Sequence, residues 1–148
     1  MRMTARTRTF ALGVAAVLAG CADLFGPSRD LQITTDRESY SASDGIVVTI
    51  RNVSDRTVSF TACSEGSPPL PQRKLDRAEI RGWSELDSWS AICPTHTMPV
   101  VVPLQPDEEL RLDWGPVSHS GTLRFRVVEG ERILGTSNAF EILSRPND

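Results

Sequence analysis

Between Leu31 and Ile142 the chain is written in short runs of period two. Leu31 and Ile33 alternate with Gln32 and Thr34. Ile46, Val48 and Ile50 fall on one side, with Val47, Thr49 and Arg51 on the other. Val58, Phe60 and Ala62 alternate with Ser59 and Thr61. Leu110, Leu112 and Trp114 alternate with Arg111 and Asp113. Leu123, Phe125 and Val127 alternate with Arg124 and Arg126, and Phe140 and Ile142 flank Glu141. Successive side chains of an extended chain point to opposite faces, so each run predicts a strand with one buried face. After residue 20 no stretch has a convincing helical period, so the pattern leaves an all-β fold.

The punctuation fits. Asp44-Gly45 precedes one strand, and Gly115-Pro116 follows the Trp114 strand. Gly130 and Gly135 bracket the last connection. Asn52-Val53-Ser54-Asp55 separates two strands and predicts a hairpin turn. Many short strands with frequent turns predict an antiparallel β-sandwich of about seven strands. Ser64–Gln72, SEGSPPLPQ, cannot be a central strand, because proline donates nothing to a ladder. Ala78–Trp83 is a further candidate strand. Pro94–Pro106 contains four prolines and predicts a loop, with Val100–Val102 as an edge strand.

The first twenty residues follow another logic. Arg2, Arg6 and Arg8 precede an apolar run, Phe10 to Leu18, interrupted by Gly13. That is the layout of a cleaved secretory signal. The run is too short to span a bilayer, which takes about 20 apolar residues. Leu18-Ala19-Gly20-Cys21 matches the bacterial lipobox, so the leader resembles that of a bacterial lipoprotein precursor. The resemblance implies diacylglycerol on the Cys21 thiol, cleavage before Cys21 and acylation (palmitate or similar) of the new amino group. The alternative is an ordinary signal peptide with a chance cysteine. The expected organisation is a signal peptide over 1–20, lipidated cysteine and tether over 21–30, and one domain over 31–148. Several acyl chains hold firmly where one binds marginally. The expected address is the bacterial cell envelope, facing the periplasm. Asp23 stands one place beyond the position that retains enterobacterial lipoproteins at the inner membrane, which points to the outer membrane.

The leader carries three of the 16 basic residues and none of the 19 acids, so the remainder holds 13 against 19, about −6. That balance argues against nucleic acid as a partner. The expected partners are the membrane, through the lipid, and a protein of the envelope.

Tyr40, then Asp44-Gly45-Ile46-Val47-Val48-Thr49-Ile50-Arg51-Asn52, then Ser54-Asp55 and Val58, resembles the opening of bacterial immunoglobulin-like domains. The intracellular proteinase inhibitor group of bacilli is among them. Gly82-Trp83, the Leu104-x-Pro106 turn and Gly121-Thr122-Leu123-Arg124-Phe125 extend the resemblance over roughly Leu31–Leu143. It implies an immunoglobulin-like sandwich. Those domains often carry an aromatic where Leu123 stands, so the corner bond of a tyrosine is missing at that position.

Cys63 and Cys93 remain once Cys21 is lipidated. Outside the cytoplasm a bridge between them is expected, which would pin the proline-rich loop. The competing reading is a Cys₂His₂ zinc set of Cys63, Cys93, His96 and His119, in which only the Cys93–His96 spacing suits zinc. No G-x-S-x-G or phosphate-binding glycine loop is present. Ser118-His119-Ser120 lies in a polar loop. Glu108-Glu109, and Asp36 with Glu38 and Asp44, suit solvated acids better than a metal site. Trp114 is expected in the core. Trp83 and Trp89 flank SELDS and either anchor a partner or pack around the bridge.

No catalytic residue, metal or cofactor is expected. The expected function is a non-catalytic binding or scaffolding module, with Pro68, Pro69, Leu70, Pro71, Trp83 and Trp89 as the candidate binding surface. A first alternative is a proteinase inhibitor whose Pro68–Pro71 loop occupies a protease cleft. A second is a zinc-dependent or hydrolytic enzyme.

Overall fold

The computed structural model describes residues 30–90 and 92–144. Cys21, the signal peptide and the tether up to residue 29 lie outside the described residues.

Eleven strands and no helix make up the described residues. They are β1 (Leu31–Thr35), β2 (Ser39–Ser41), β3 (Val47–Asn52), β4 (Val58–Ala62), β5 (Arg73–Glu79) and β6 (Gly82–Trp89). There follow β7 (Val100–Leu104), β8 (Glu109–Asp113), β9 (Gly121–Glu129), β10 (Arg132–Thr136) and β11 (Phe140–Leu143). One sheet has the order β1-β3-β8. A six-stranded sheet runs β2-β11-β9-β5-β6, with β10 also on β9. β4 and β7 form a separate pair. All strand pairings are antiparallel except β2 with β11, which is parallel, and an isolated parallel bridge joins Ile33 to Ser137, so the sheet system is mixed. The arrangement is sandwich-like. The apolar sides of β1, β3, β4 and β8 and those of β9 and β11 meet in one core, from Leu31, Val48, Ile50 and Phe60 to Phe125 and Ile142. A row of rings crosses it. Tyr40 meets Phe140 edge-on at 5.8 Å, Phe140 stacks on Phe125 at 5.2 Å, and Phe125 meets Trp114 edge-on at 4.5 Å.

The alternating runs became strands with the expected faces. Along β9, Leu123, Phe125 and Val127 are buried and Arg124 and Arg126 look outward. The connections differ more. Asn52–Asp55 is a turn but not a hairpin, because β3 pairs with β1 and β8 while β4 pairs with β7. The buried Asn52 explains the divergence. Its Nδ2 donates to the Arg56 and Leu104 carbonyls at 2.7 and 2.9 Å, and its Oδ1 accepts from the Ser54 N–H and hydroxyl. The side chain thus ties the chain toward β7 instead of back on β3. Ala78–Trp83 is not one strand: it spans the tip of the β5–β6 hairpin, with Ile80 fully exposed. The strand count of about seven is too low, because β2, β5, β6 and β10 were not distinguished by the pattern.

Gly130 and Gly135 do not bracket a connection. Residues 132–136 are β10, and Gly135 sits at a register shift in its pairing with β9. A Cβ at Gly135 would drive into the Leu31 carbonyl oxygen and crowd the Ile33 side chain. β1 approaches β10 this closely because Ile33 bridges Ser137. Gly135→Ala is therefore expected to cost about 1–3 kcal/mol, as overpacking does; an unchanged urea midpoint would show that β1 can give way.

Two polar clamps hold the ends of β1. Asp30 is buried; Arg56 Nη2 donates to both its oxygens at 2.9 and 3.0 Å, and Arg132 Nη2 adds a further bond. Asp30 thus belongs to the folded body rather than to the tether. Past the other end of β1, the Tyr40 hydroxyl donates to Asp36 Oδ1 at 2.7 Å and accepts from the Arg37 N–H at 3.1 Å. A tyrosine corner bond is therefore made at the β1–β2 connection. The hydroxyl bond holds the Asp36 carboxyl below its ordinary value, against the opposing effect of burial. A depressed carboxylate contributes stability above its unfolded pKa and loses it as pH falls through the folded value. In Tyr40→Phe the drop in stability between pH 5 and pH 3 is expected to be shallower than in the native chain. Parallel pH profiles would count against that bond.

Candidate functional site

Proline stiffness and a covalent staple position the Ser64–Gln72 loop. Cys63 and Cys93 form a disulfide with Cα atoms 5.1 Å apart. The loop hangs from the same end of β4, where the Leu70 N–H donates to the Thr61 carbonyl at 2.7 Å. Pro69 and Pro71 turn inward and are buried, Leu70 is half-buried, and Pro68 is exposed. An inhibitory loop presents its side chains outward to a protease cleft, and two of these four residues face in.

The loop separates two hollows, both bordered by Leu70. One, of about 320 Å³, runs between Ser59 and Thr61 on β4 and Val128 to Gly130 at the end of β9. The other, of about 280 Å³, lies between Pro68 and Leu70 and the end of β8, where Arg111, Asp113 and Trp114 complete it with Arg73. The Arg73 guanidinium stacks on two indoles, 5.0 Å from the centroid of Trp89 and 4.6 Å from that of Trp114. Flat delocalised cations stack well on indole faces, each contact contributing about 0.5–2 kcal/mol. Arg73 Nε and Trp114 Nε1 are both buried without a hydrogen-bond partner among the described residues.

Trp83 and Trp89 do not form one surface. They stand near opposite ends of β6, so about 20 Å of extended strand separates them. Trp83, 39% exposed, carries the Arg124 guanidinium at 4.2 Å on the outer face of the six-stranded sheet. Trp89 is half-buried against the core and Arg73. The aromatic residue that joins the proline loop is Trp114. Its alternation with Leu112 placed it in the core, and it is only half-buried there. Arg73 and Arg111 carried no signal in the sequence, because nothing local brings the start of β5 to the end of β8.

The metal set is not assembled, since both sulfurs are in the disulfide. His96 is exposed and His119 half-buried in separate loops, and no cluster of three metal-ligating side chains occurs among the described residues.

No family model matches the chain, and no curated protein matches it. Among solved structures, it is similar to an alkylpurine DNA glycosylase AlkC from Pseudomonas fluorescens, bound to DNA containing an abasic site analog. Identity is 10%, the TM-score is 0.40, and the match covers 80% of this chain but 32% of the glycosylase. A likeness at that level carries no inference to this chain.

Proposed function

We propose that the chain is a bacterial envelope lipoprotein whose immunoglobulin-like sandwich is a non-catalytic binding module. Lipid on Cys21 holds it to the membrane, with the outer membrane as the favoured surface. The module faces the periplasm. The lipobox supports the anchor. From Ala22 to residue 29 the tether reaches at most about 30 Å, which keeps the sandwich close to the bilayer.

The strand order supports the fold reading. In immunoglobulin domains, A, B and E share one sheet and C, F and G the other. Here β1, β3 and β8 suit A, B and E, while β5, β9 and β11 suit C, F and G, with β6 as an added C′ strand. The β4–β7 pair is an insertion to that scheme, and the disulfide staples this insertion instead of joining the two sheets.

The observation that carries the binding reading is the braced proline loop between two hollows. Rigid scaffolds present loops of this kind for recognition. A photo-crosslinking residue placed at Pro68 in the exported protein is expected to yield one discrete adduct in intact cells. The same residue at Val53, exposed beside Asp30, is expected to yield none. Equal labelling at both positions, or none at either, would sink the reading. The anchor has its own check: acyl-chain labelling should be lost in Cys21→Ser, and labelling that survives removes the lipid from Cys21.

A further inference from the structure

We infer that the hollow between the proline loop and the end of β8 is a carboxylate-binding site, with the Arg73 guanidinium as its donor and the Trp114 indole in its wall. The inference deepens the binding-module reading and rests on it.

Most arginines whose surroundings are described find an acid. Arg56 and Arg132 hold Asp30, Arg124 and Arg126 hold Asp76, and Arg51 holds Asp107. Arg73 is in none of the ion pairs among the described residues. It stacks on Trp89 and Trp114, and its buried Nε has no hydrogen-bond partner among the described residues. Arg124 shows the contrast. It too stacks on an indole, and its Nε donates to Asp76 at 3.1 Å. Burial disfavours the charged form of Arg73. Guanidinium does not lose its proton in proteins, so the charge stays, with no acid paired to it among the described residues. A half-buried cation without an anion is costly. A planar acid group in the hollow would supply the missing anion, since carboxylates match the fork of arginine.

The walls narrow the chemistry. Pro68 and Leu70 offer apolar contact on one side, and Arg111 stands exposed on the other. Asp113 is in the same wall, its Oδ1 accepting from the Gly115 N–H at 2.8 Å. A dianionic phosphate would meet that carboxylate with twice the charge of a monoanion. The volume of about 280 Å³ falls below that of drug-sized sites and suits a body of about one amino-acid residue. The occupant is therefore a carboxylate on a small apolar group, either a free acid or the end of a polypeptide.

The test uses the exported, processed chain labelled with ¹⁵N. N-acetyl-leucine is expected to shift the Trp114 indole resonance saturably, with Kd of about 1 mM or tighter. N-acetyl-leucinamide, which lacks the carboxylate, should leave it in place. Arg73→Lys keeps the charge but loses the fork, and should weaken binding about tenfold. The exposed Arg111→Ala should weaken it about threefold, as loss of a nearby rim charge does. An amide probe that binds as well as the acid overturns the site, as does tighter binding by inorganic phosphate. So does unchanged affinity in a folded Arg73→Lys; if that variant does not fold, Arg111→Ala and the amide probe decide. An acetylated tetrapeptide ending in leucine distinguishes the sources. Affinity well above that of N-acetyl-leucine assigns the carboxylate to a polypeptide, and equal affinity assigns it to a free acid. A Pro68 adduct that persists when no acid binds would retain the module and discard the site.

Discussion

The double variant Cys63→Ala with Cys93→Ala is expected to lose about 3–4 kcal/mol, read from its urea midpoint against the native chain. The two cysteines are 30 positions apart, and the closed segment contains the proline loop and the whole β5–β6 hairpin. A link across that distance removes much loop-closure freedom from the unfolded chain. The folded state has a second reason to need it. β4 and β7 pair only with each other, in a register running from Val58↔Leu104 to Ala62↔Val100. Two-stranded ladders are marginal alone. Val58, Phe60 and Leu104 hold this one to the core, while Ile92, Met98 and Val101 nearby are exposed and contribute little. The bridge joins the residue after Ala62 to the segment that leads into Val100, so it staples the open end of the ladder. Amide exchange in Val100–Leu104 should accelerate before that of β9. A loss below about 1 kcal/mol would mean that packing alone fixes the pair.

Asp76→Ala is expected to cost about 3 kcal/mol, toward the lower end for breaking a buried ion pair. The Asp76 side chain is 2% exposed and accepts from Arg124 Nε at 3.1 Å and Arg126 Nη2 at 2.6 Å. Arg126 Nη2 also donates to Glu85 Oε2 at 3.1 Å, and that carboxylate accepts from Lys74 Nζ at 2.9 Å. Three strands, β5, β6 and β9, are thus cross-linked on their outer face. Without Asp76 two cations face each other with one remaining acid, Glu85, on Arg126 alone. The cost stays at the lower end because Arg124 and Arg126 retain 27% and 19% exposure and can gain some water. The carboxylate is buried, so the loss should persist in 0.5 M salt, where exposed pairs are screened. Disappearance of the effect in salt would reduce the cluster to surface charge.

This outer face explains what the sequence concealed. In β5 only Leu75 and Asp76 are buried, so Arg73–Glu79 shows no apolar alternation. A strand whose outer side is covered by ion pairs and an indole–guanidinium stack looks like a polar loop in sequence. β6 is an edge strand with Leu86 half-buried, and β10 is broken by the Gly135 register shift. By contrast β1, β3, β4, β8, β9 and β11 line the core, and burial of one face wrote the alternation plainly.

Local chemistry in the sequence determined the all-β class, the inward face of each core strand and the two cysteines available for a bridge. Each depends on residues one or two positions apart, or on the count of one residue type. Only the tertiary structure decided that β4 turns away to β7 and that Trp114 joins the proline loop. It alone stacked Arg73 on two indoles, with no acid paired to it among the described residues. Those outcomes require strands far apart in the chain to meet, and the packing of whole sheets, not the pattern within a strand, sets which ones do.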